Sequence, residues 1–341
     1  MNQFPSEKFP SELRLGSLSN RWVLIAAGRA NRPHDDWGPL QQASPREDPF
    51  SPAHIRPEEI VDRIPNDDHT KYSVESDWKA LAIKNIYPFV SPKPSNPRLT
   101  GNVIDGYGYH ELVIHSPEPH KNFEDFTPGQ TQAVLELYLK RFNQLSHEPH
   151  VRHVQIFTNR GEEAGASIPH PHSQIVALPI TPPYITELID AAHKHSARHD
   201  GSNVAEDELS QEIHDSSRVI YENSKFLVYC PFAPHADYHI RIMPKGPGAH
   251  FYEITESQLE HLAKIINLAF RRLDRIAGIP PYNAFIRTAP TGEVAEELKG
   301  FRWHIDIIPH LSTPGGLEIS TGLDVVTVFP EDAAHALRQD S

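Results

Sequence analysis

An internal repeat constrains this chain more than any other feature, because a unit used twice must be built from the same elements twice. The first copy runs Ala80-Leu81-Ala82-Ile83-Lys84-Asn85-Ile86-Tyr87-Pro88-Phe89, then Tyr109-His110-Glu111-Leu112-Val113-Ile114. The second runs Phe226-Leu227-Val228-Tyr229-Cys230-Pro231-Phe232-Ala233-Pro234, then Tyr238-His239-Ile240-Arg241-Ile242-Met243. Both Tyr-His pairs open short β-branched runs that read as strands. Each copy then enters a helix behind a Thr cap: Thr127-Pro128-Gly129-Gln130 in one, Thr255-Glu256-Ser257-Gln258 in the other. Val134, Leu137, Tyr138 and Phe142 follow the first cap near helical spacing, and Leu262, Ile265, Ile266 and Ala269 the second. A further strand follows each helix (Val154–Phe157; Ala284–Ile286), and each copy closes on a His-containing strand, at His170–Pro179 and Arg302–Pro309. Two β-β-α-β-β units thus account for most of the chain. They predict an α+β fold with mainly antiparallel sheet and helices packed on it, divided at 1–182 and 183–341.

Tyr184 to about Glu212 links the copies, helical at first through Ile185, Leu188, Ile189 and Ala192, then polar and His-rich. Residues 30–65 are Pro-rich and read as irregular, and Pro330–Arg338 reads as a short helix with acidic residues at its start. Lys plus Arg number 32 and Asp plus Glu 45, a net charge of −13, which argues against a nucleic-acid surface. The single Cys230 excludes a disulfide framework and a Cys-rich zinc site, and in its apolar strand it reads as a buried small hydrophobe. No apolar run reaches about 18 residues, and Met1-Asn2-Gln3-Phe4-Pro5 lacks a signal-peptide pattern. The expectation is a cytoplasmic enzyme without a membrane or nucleic-acid partner. His193, His195 and His199 of the linker read as one solvated helical face.

The segment that carries chemistry is Asn159-Arg160-Gly161-Glu162-Glu163-Ala164-Gly165-Ala166-Ser167-Ile168-Pro169, followed by His170-Pro171-His172-Ser173-Gln174. Alternate residues of a strand share a face, so His170, His172 and Gln174 are expected to point one way. The small residues Gly165-Ala166-Ser167 ahead of them let backbone N–H groups approach an anion. A neutral imidazole is a good nucleophile toward phosphorus when its other nitrogen is held by a hydrogen bond. An amide can donate to a phosphoryl oxygen without adding charge. A lone strand histidine is more often structural, and His-x-His alone also marks metal sites; the full segment is far more specific.

His170-Pro171-His172-Ser173-Gln174 resembles the signature of the galactose-1-phosphate uridylyltransferase branch of the histidine-triad superfamily. The resemblance extends to Arg21–Ile25, Gly28–Asp35, Asn85-Ile86-Tyr87-Pro88, Gly108–Ile114, Gly316–Gly322 and Pro330–Ala334. It implies two tandem histidine-triad-like repeats, only the first catalytic, since the second has Arg302, His304 and Asp306 where the first has His170, His172 and Gln174. It implies that His172 attacks the α-phosphorus of a nucleotide sugar, releases a sugar 1-phosphate and carries the nucleotide to a second acceptor, in ping-pong fashion. Gln174 and Ser167 would hold phosphoryl oxygens, Asn159 would position the phosphates, Asn85 would lie by the nucleoside, and Arg29 and Arg32 are candidate phosphate contacts. The leading pair is UDP-glucose with a hexose 1-phosphate such as galactose 1-phosphate. The alternatives are an ADP-glucose or dinucleoside polyphosphate phosphorylase of the same fold, or a non-catalytic nucleotide-binding protein. A homodimer is also implied.

The sequence departs from the family at the metal sites. Asp48-Pro49-Phe50-Ser51 stands where many relatives have the CPFC of a structural zinc site, with His110 and His170 as the expected histidine ligands. Asp48, His110 and His170 remain a candidate site for one Zn, with His54 or water as fourth ligand. The alternative is a metal-free cluster in which Asp48 orients His110 or His170 directly. The second family zinc site is expected to be absent: the Asn203–Glu206 region has no Cys, and Pro247 and Arg302 replace the later His ligands.

Overall fold

The computed structural model describes residues 11–27, 48–66, 77–93, 104–278, 280–293 and 297–339. A short hairpin, β1 (Glu12–Leu15) and β2 (Trp22–Ile25), precedes the first unit. That unit contains β3 (Ile60–Pro65), β4 (Trp78–Lys84), β5 (Tyr109–Ile114), α1 (Pro128–Ser146), β6 (His153–Arg160) and β7 (His172–Leu178). Two helices, α2 (Pro183–Arg198) and α3 (Val204–Asp215), form the link. The second unit contains β8 (Val219–Glu222), β9 (Phe226–Tyr229), β10 (Ile240–Pro244), α4 (Glu256–Ala277), β11 (Tyr282–Arg287) and β12 (His304–Pro309). The chain ends with α5 (Gly316–Thr321), β13 (Asp324–Val326) and α6 (Pro330–Arg338); β13 pairs with β2 in parallel.

Among the described residues the two units share one antiparallel sheet of ten strands, in the order β3-β4-β5-β7-β6-β11-β12-β10-β9-β8. The order is symmetric about the β6–β11 seam, where Phe157 pairs with Phe285 and Ile156 with Ile286. Phe157 also pairs with Gln174, and Phe285 with Asp306, so the two Phe residues are equivalent positions of the repeat meeting each other. Each unit therefore has three strands before its helix rather than two. β3 lies in the stretch read as irregular, because prolines bracket it and its edge position leaves Ile60 exposed.

The caps form as the sequence predicts. Thr127 accepts from the Gln130 N–H, while the Gln130 side chain leaves the cap to donate to the Lys79 and His115 carbonyls at 2.7 and 2.6 Å. Thr255 and Gln258 make the full reciprocal box. α1 and α4 cover one face of the sheet and each other, and Thr131 donates to Asn267 across that contact at 2.5 Å. The core beneath them is continuous through both units, from Val113, Val154 and Ile175 to Ile240, Ile286 and Ile307, with Leu137, Phe142, Leu262 and Ile265 from the helices. Each of these fully buried large side chains contributes about 1.5–3 kcal/mol by leaving water. Cys230 lies in this core, and burial pushes its thiol far up.

The opposite face decides where a ligand can sit. Over the second unit it is roofed by α2 and α3, whose Ala192, Val204, Ala205 and Leu209 pack on Leu227, Tyr229 and Met243. α3 begins at an Asn203 cap that accepts from Ala205 and Glu206, so the polar part of the linker is a helix. His193 and His199 are exposed and His195 is half-buried, the solvated helical face the sequence predicts; within it His193 Nε2 donates to the Glu297 carbonyl at 2.8 Å and His195 bonds Asp207 at 2.7 Å. Among the described residues, no helix is long and apolar enough to cross a membrane.

Candidate active site

On the first unit this face, where Phe50 and Ile55 pack on Leu81, Ile83, Leu112 and Ile114, carries His172 and Gln174, two residues apart on β7 and therefore on one side. His172 is 9% exposed. Its Nδ1 donates to the His170 carbonyl at 2.8 Å, which fixes the tautomer and leaves the Nε2 lone pair available. Burial holds the ring below the usual histidine range, so it is neutral at pH 7. Phe50 meets it edge-on, with ring centroids 4.9 Å apart.

Gln174 is oriented by His110, which the register places opposite Val176 on the neighbouring strand. The backbone N–H of Phe89 donates to His110 Nδ1 at 3.0 Å, so the ring proton sits on Nε2, which donates to Gln174 Oε1 at 2.8 Å. The Gln174 NH2 is thereby turned away from His110 as a free donor. Phe89 stacks on His110 at 4.7 Å, and burial lowers the His110 pKa, which keeps that tautomer neutral. Asn85 lies beside His110, with its Nδ2 3.1 Å from His110 Nε2 and its Oδ1 accepting from Tyr87 N–H at 2.8 Å.

The loop after β6 needs its glycines. Gly161 has φ +80°, and a Cβ there would meet Pro281 Cβ at 2.8 Å. Gly165, at φ +83°, ends the single turn Glu162–Ala164. Ser167 is exposed on this loop, and Asn159 stands at its base. Arg29 and Arg32 lie outside the described residues.

The three candidate metal ligands do not share one centre. His170 Nδ1 bonds Asp48 Oδ2 at 2.7 Å and its Nε2 lies 2.7 Å from the Ser116 carbonyl, while His110 is committed to Phe89 and Gln174. His170 precedes the strand that starts at His172, so its ring follows the loop to Asp48 rather than the face of β7. Asp48 also accepts from the Phe50 N–H at 3.0 Å, and its carbonyl accepts from His54 at 2.8 Å. Among the described residues no three His, Cys, Asp or Glu side chains converge as a metal-holding group. In the second unit, Arg302 reaches Glu206 at 3.3 Å and the Lys245 carbonyl at 3.5 Å.

Sequence reasoning missed the layer behind His172. Ser173 points the other way from its neighbours and bonds His115 Nε2 at 2.7 Å, Thr158 Oγ1 at 2.5 Å and the Tyr138 hydroxyl. Burial and the neighbouring His172 and His170 hold His115 well below its ordinary pKa. The strand alternation of Ser173 against His172 was the available signal.

The second unit repeats the setting of His172 but not its surroundings. His304 Nδ1 donates to the Arg302 carbonyl at 3.0 Å, as His172 does to His170. Asp306 replaces Gln174, fully buried, and accepts from Arg241 at 2.8 and 3.2 Å. Burial opposes its charge, but Arg241, His239 and His304 outweigh that and hold the carboxyl well below its usual range. Arg287 lies 3.6 Å from Asp306, under the ring of Tyr184 from α2. A carboxylate in this place repels a phosphoryl oxygen, and the roof excludes a ligand.

Residues 3–182 match the family described as galactose-1-phosphate uridyl transferase, N-terminal domain. The chain belongs to this family. It is 33% identical to an ADP-glucose phosphorylase of Arabidopsis thaliana, over 97% of this chain and 93% of that protein. It is 26% identical to the galactose-1-phosphate uridylyltransferase of Thermotoga maritima, over 96% and 98% of the two. A crystal structure of an Arabidopsis ADP-glucose phosphorylase with bound ADP-glucose superposes with a TM-score of 0.82 at 30% identity, covering 97% of this chain and 100% of that one. The two-unit α+β architecture is that of the family, and the protein is a nucleotidyltransferase.

Proposed function

We propose that the protein moves a nucleoside monophosphate from a nucleoside diphosphate hexose to a second acceptor through a nucleotidyl-His172 intermediate. The observation that carries this reading is the pairing on β7: an imidazole anchored through Nδ1, with Nε2 free, beside an amide whose donor end is turned away from His110. The Nε2 lone pair forms the new bond to the α-phosphorus. The bond from that phosphorus to the bridging oxygen breaks, and the sugar 1-phosphate leaves with the electron pair. The His170 carbonyl, accepting from Nδ1–H, stabilises the positive charge that the substituted ring acquires. Gln174 donates to a non-bridging oxygen, with Ser167 and Asn159 at the phosphates, Asn85 at the nucleoside, and Arg29 and Arg32 as further phosphate contacts. A second acceptor then attacks the same phosphorus and frees His172.

Two acceptors fit this chemistry. With a hexose 1-phosphate the enzyme is a UDP-glucose:hexose-1-phosphate uridylyltransferase, the reading the sequence motif favours. With inorganic phosphate it is a phosphorylase, a reading supported by the full-length similarity to an ADP-glucose phosphorylase. Incubation with UDP-glucose and, separately, ADP-glucose, read by intact mass, identifies the nucleotide retained on His172; adding each acceptor in turn identifies which one discharges it. No adduct from either donor, at any enzyme concentration, would refute the covalent reading. We further propose that the enzyme works without a metal at Asp48, as a cytoplasmic homodimer.

A further inference from the structure

The amide of Asn159 has two orientations, and only one presents a donor to a phosphate. Asn159 pairs across the seam with Asn283 of β11. Asn283 Nδ2 donates to the Ala164 carbonyl at 2.9 Å and to Asn159 Oδ1 at 2.9 Å. The Ala164 carbonyl can only accept, so it fixes which end of the Asn283 amide faces the glycine loop. The other end, Oδ1, accepts from His310 Nε2 at 2.6 Å. His310 follows β12, and its own backbone N–H is tied to the Pro281 carbonyl at 2.8 Å. With Oδ1 occupied, Asn159 turns its Nδ2 to the loop, 3.6 Å from where a Cβ on Gly165 would stand.

We infer that Asn283 and His310, both supplied by the second unit, are positioning residues that hold the Asn159 amide with its NH2 toward the phosphates of the bound nucleotide. This rests on the reading of Asn159 as a phosphate contact. The polarity of the whole chain, His310 to Asn283 to Asn159, is set by one backbone carbonyl that cannot be inverted. The second unit, whose own counterpart site is closed, thereby acts in the first.

Asn283→Asp tests the polarity at nearly constant shape. A carboxylate there faces two acceptors, so Asn159 must rotate, give its NH2 to Asp and show its oxygen to the phosphate. The rate of nucleotidyl-enzyme formation should fall about 10²–10³-fold, the range for loss of one preorganised donor, and match the loss in Asn159→Ala. The double variant should be no slower than Asn159→Ala alone, because both act through one amide. His310→Gln, which keeps an N–H donor, should retain most of the rate, while His310→Phe should lose about tenfold. The measurement is single-turnover labelling of the full-length enzyme by whichever nucleotide sugar labels wild type, with thermal unfolding of each variant alongside. Asn159→Ala at wild-type speed would remove the phosphate contact itself. A slow Asn159→Ala with Asn283→Asp at wild-type speed, with multiplicative losses in the double variant, or with equal rates in the two His310 variants, would overturn the relay and leave the contact standing. Should Asn283→Asp fail to fold, the His310 pair decides the question.

Discussion

Stability should collapse over a narrow acid range, because the fold buries histidines in the neutral form. His153 and His239 are held down to about 4 by burial, and His115 lies well below its ordinary value for the same reason. In the unfolded chain each titrates near 6.5. A folded pKa below the unfolded one means that the unfolded state binds more protons between the two values, so stability is complete above about pH 6.5 and is lost as pH falls toward 4. Each such histidine costs about 1.2 kcal/mol between pH 6 and 5, and three cost about 3–4 kcal/mol, a large part of the ~5–15 kcal/mol available to a typical domain. Urea unfolding at half-unit pH steps measures the slope directly. His153→Gln should flatten that slope by about one proton, because His153 is fully buried with its Nδ1 unpartnered and lies outside the reacting groups. A free energy of unfolding that stays constant from pH 7 to 5, or an unchanged slope in His153→Gln, would refute neutral burial as the cause.

Other expectations follow from single contacts. His172→Ala should abolish the covalent adduct while nucleotide binding persists, as seen by intact mass and calorimetry. Asp48→Ala removes the acceptor at His170 Nδ1 and should cost about 1–3 kcal/mol in urea unfolding; elemental analysis of the wild type should find no stoichiometric zinc, and prolonged chelation should leave its thermal midpoint unchanged. Asp306→Ala leaves Arg241 and Arg287 buried without their carboxylate and should destabilise by about 3–5 kcal/mol, far more than any effect on nucleotide binding, by denaturant titration.

The repeat, both Thr caps and the placement of His172 and Gln174 on one face of a strand were legible because each depends on residues close in sequence. The partner of His110 was not. Its neighbour Gln174 is set by strand register, which places His110 opposite Val176 on a strand far along the chain, and a spacing argument cannot see that. For the same reason Asp48 and His170 come together while His110 stays with Gln174. β8 and α3 were missed because short or polar segments owe their structure to neighbours: among the described residues β8 is an edge strand paired with β9, and α3 is held by apolar contacts to the roofed face and by Tyr229 and Arg218 bonding its Glu208 and Glu212. Asn283 and His310 carry no motif of their own. Only the β6–β11 pairing brings them to Asn159.

The seam sets what either unit would need on its own. Equivalent residues meet there, Phe157 against Phe285, as they would across the dyad of two identical chains. A single unit on its own would expose β6 as a bare edge and would satisfy it with a second copy of itself. Within one chain the second unit covers that edge without any reactivity of its own, so Asp306 and two arginines can fill its counterpart position while it braces the first.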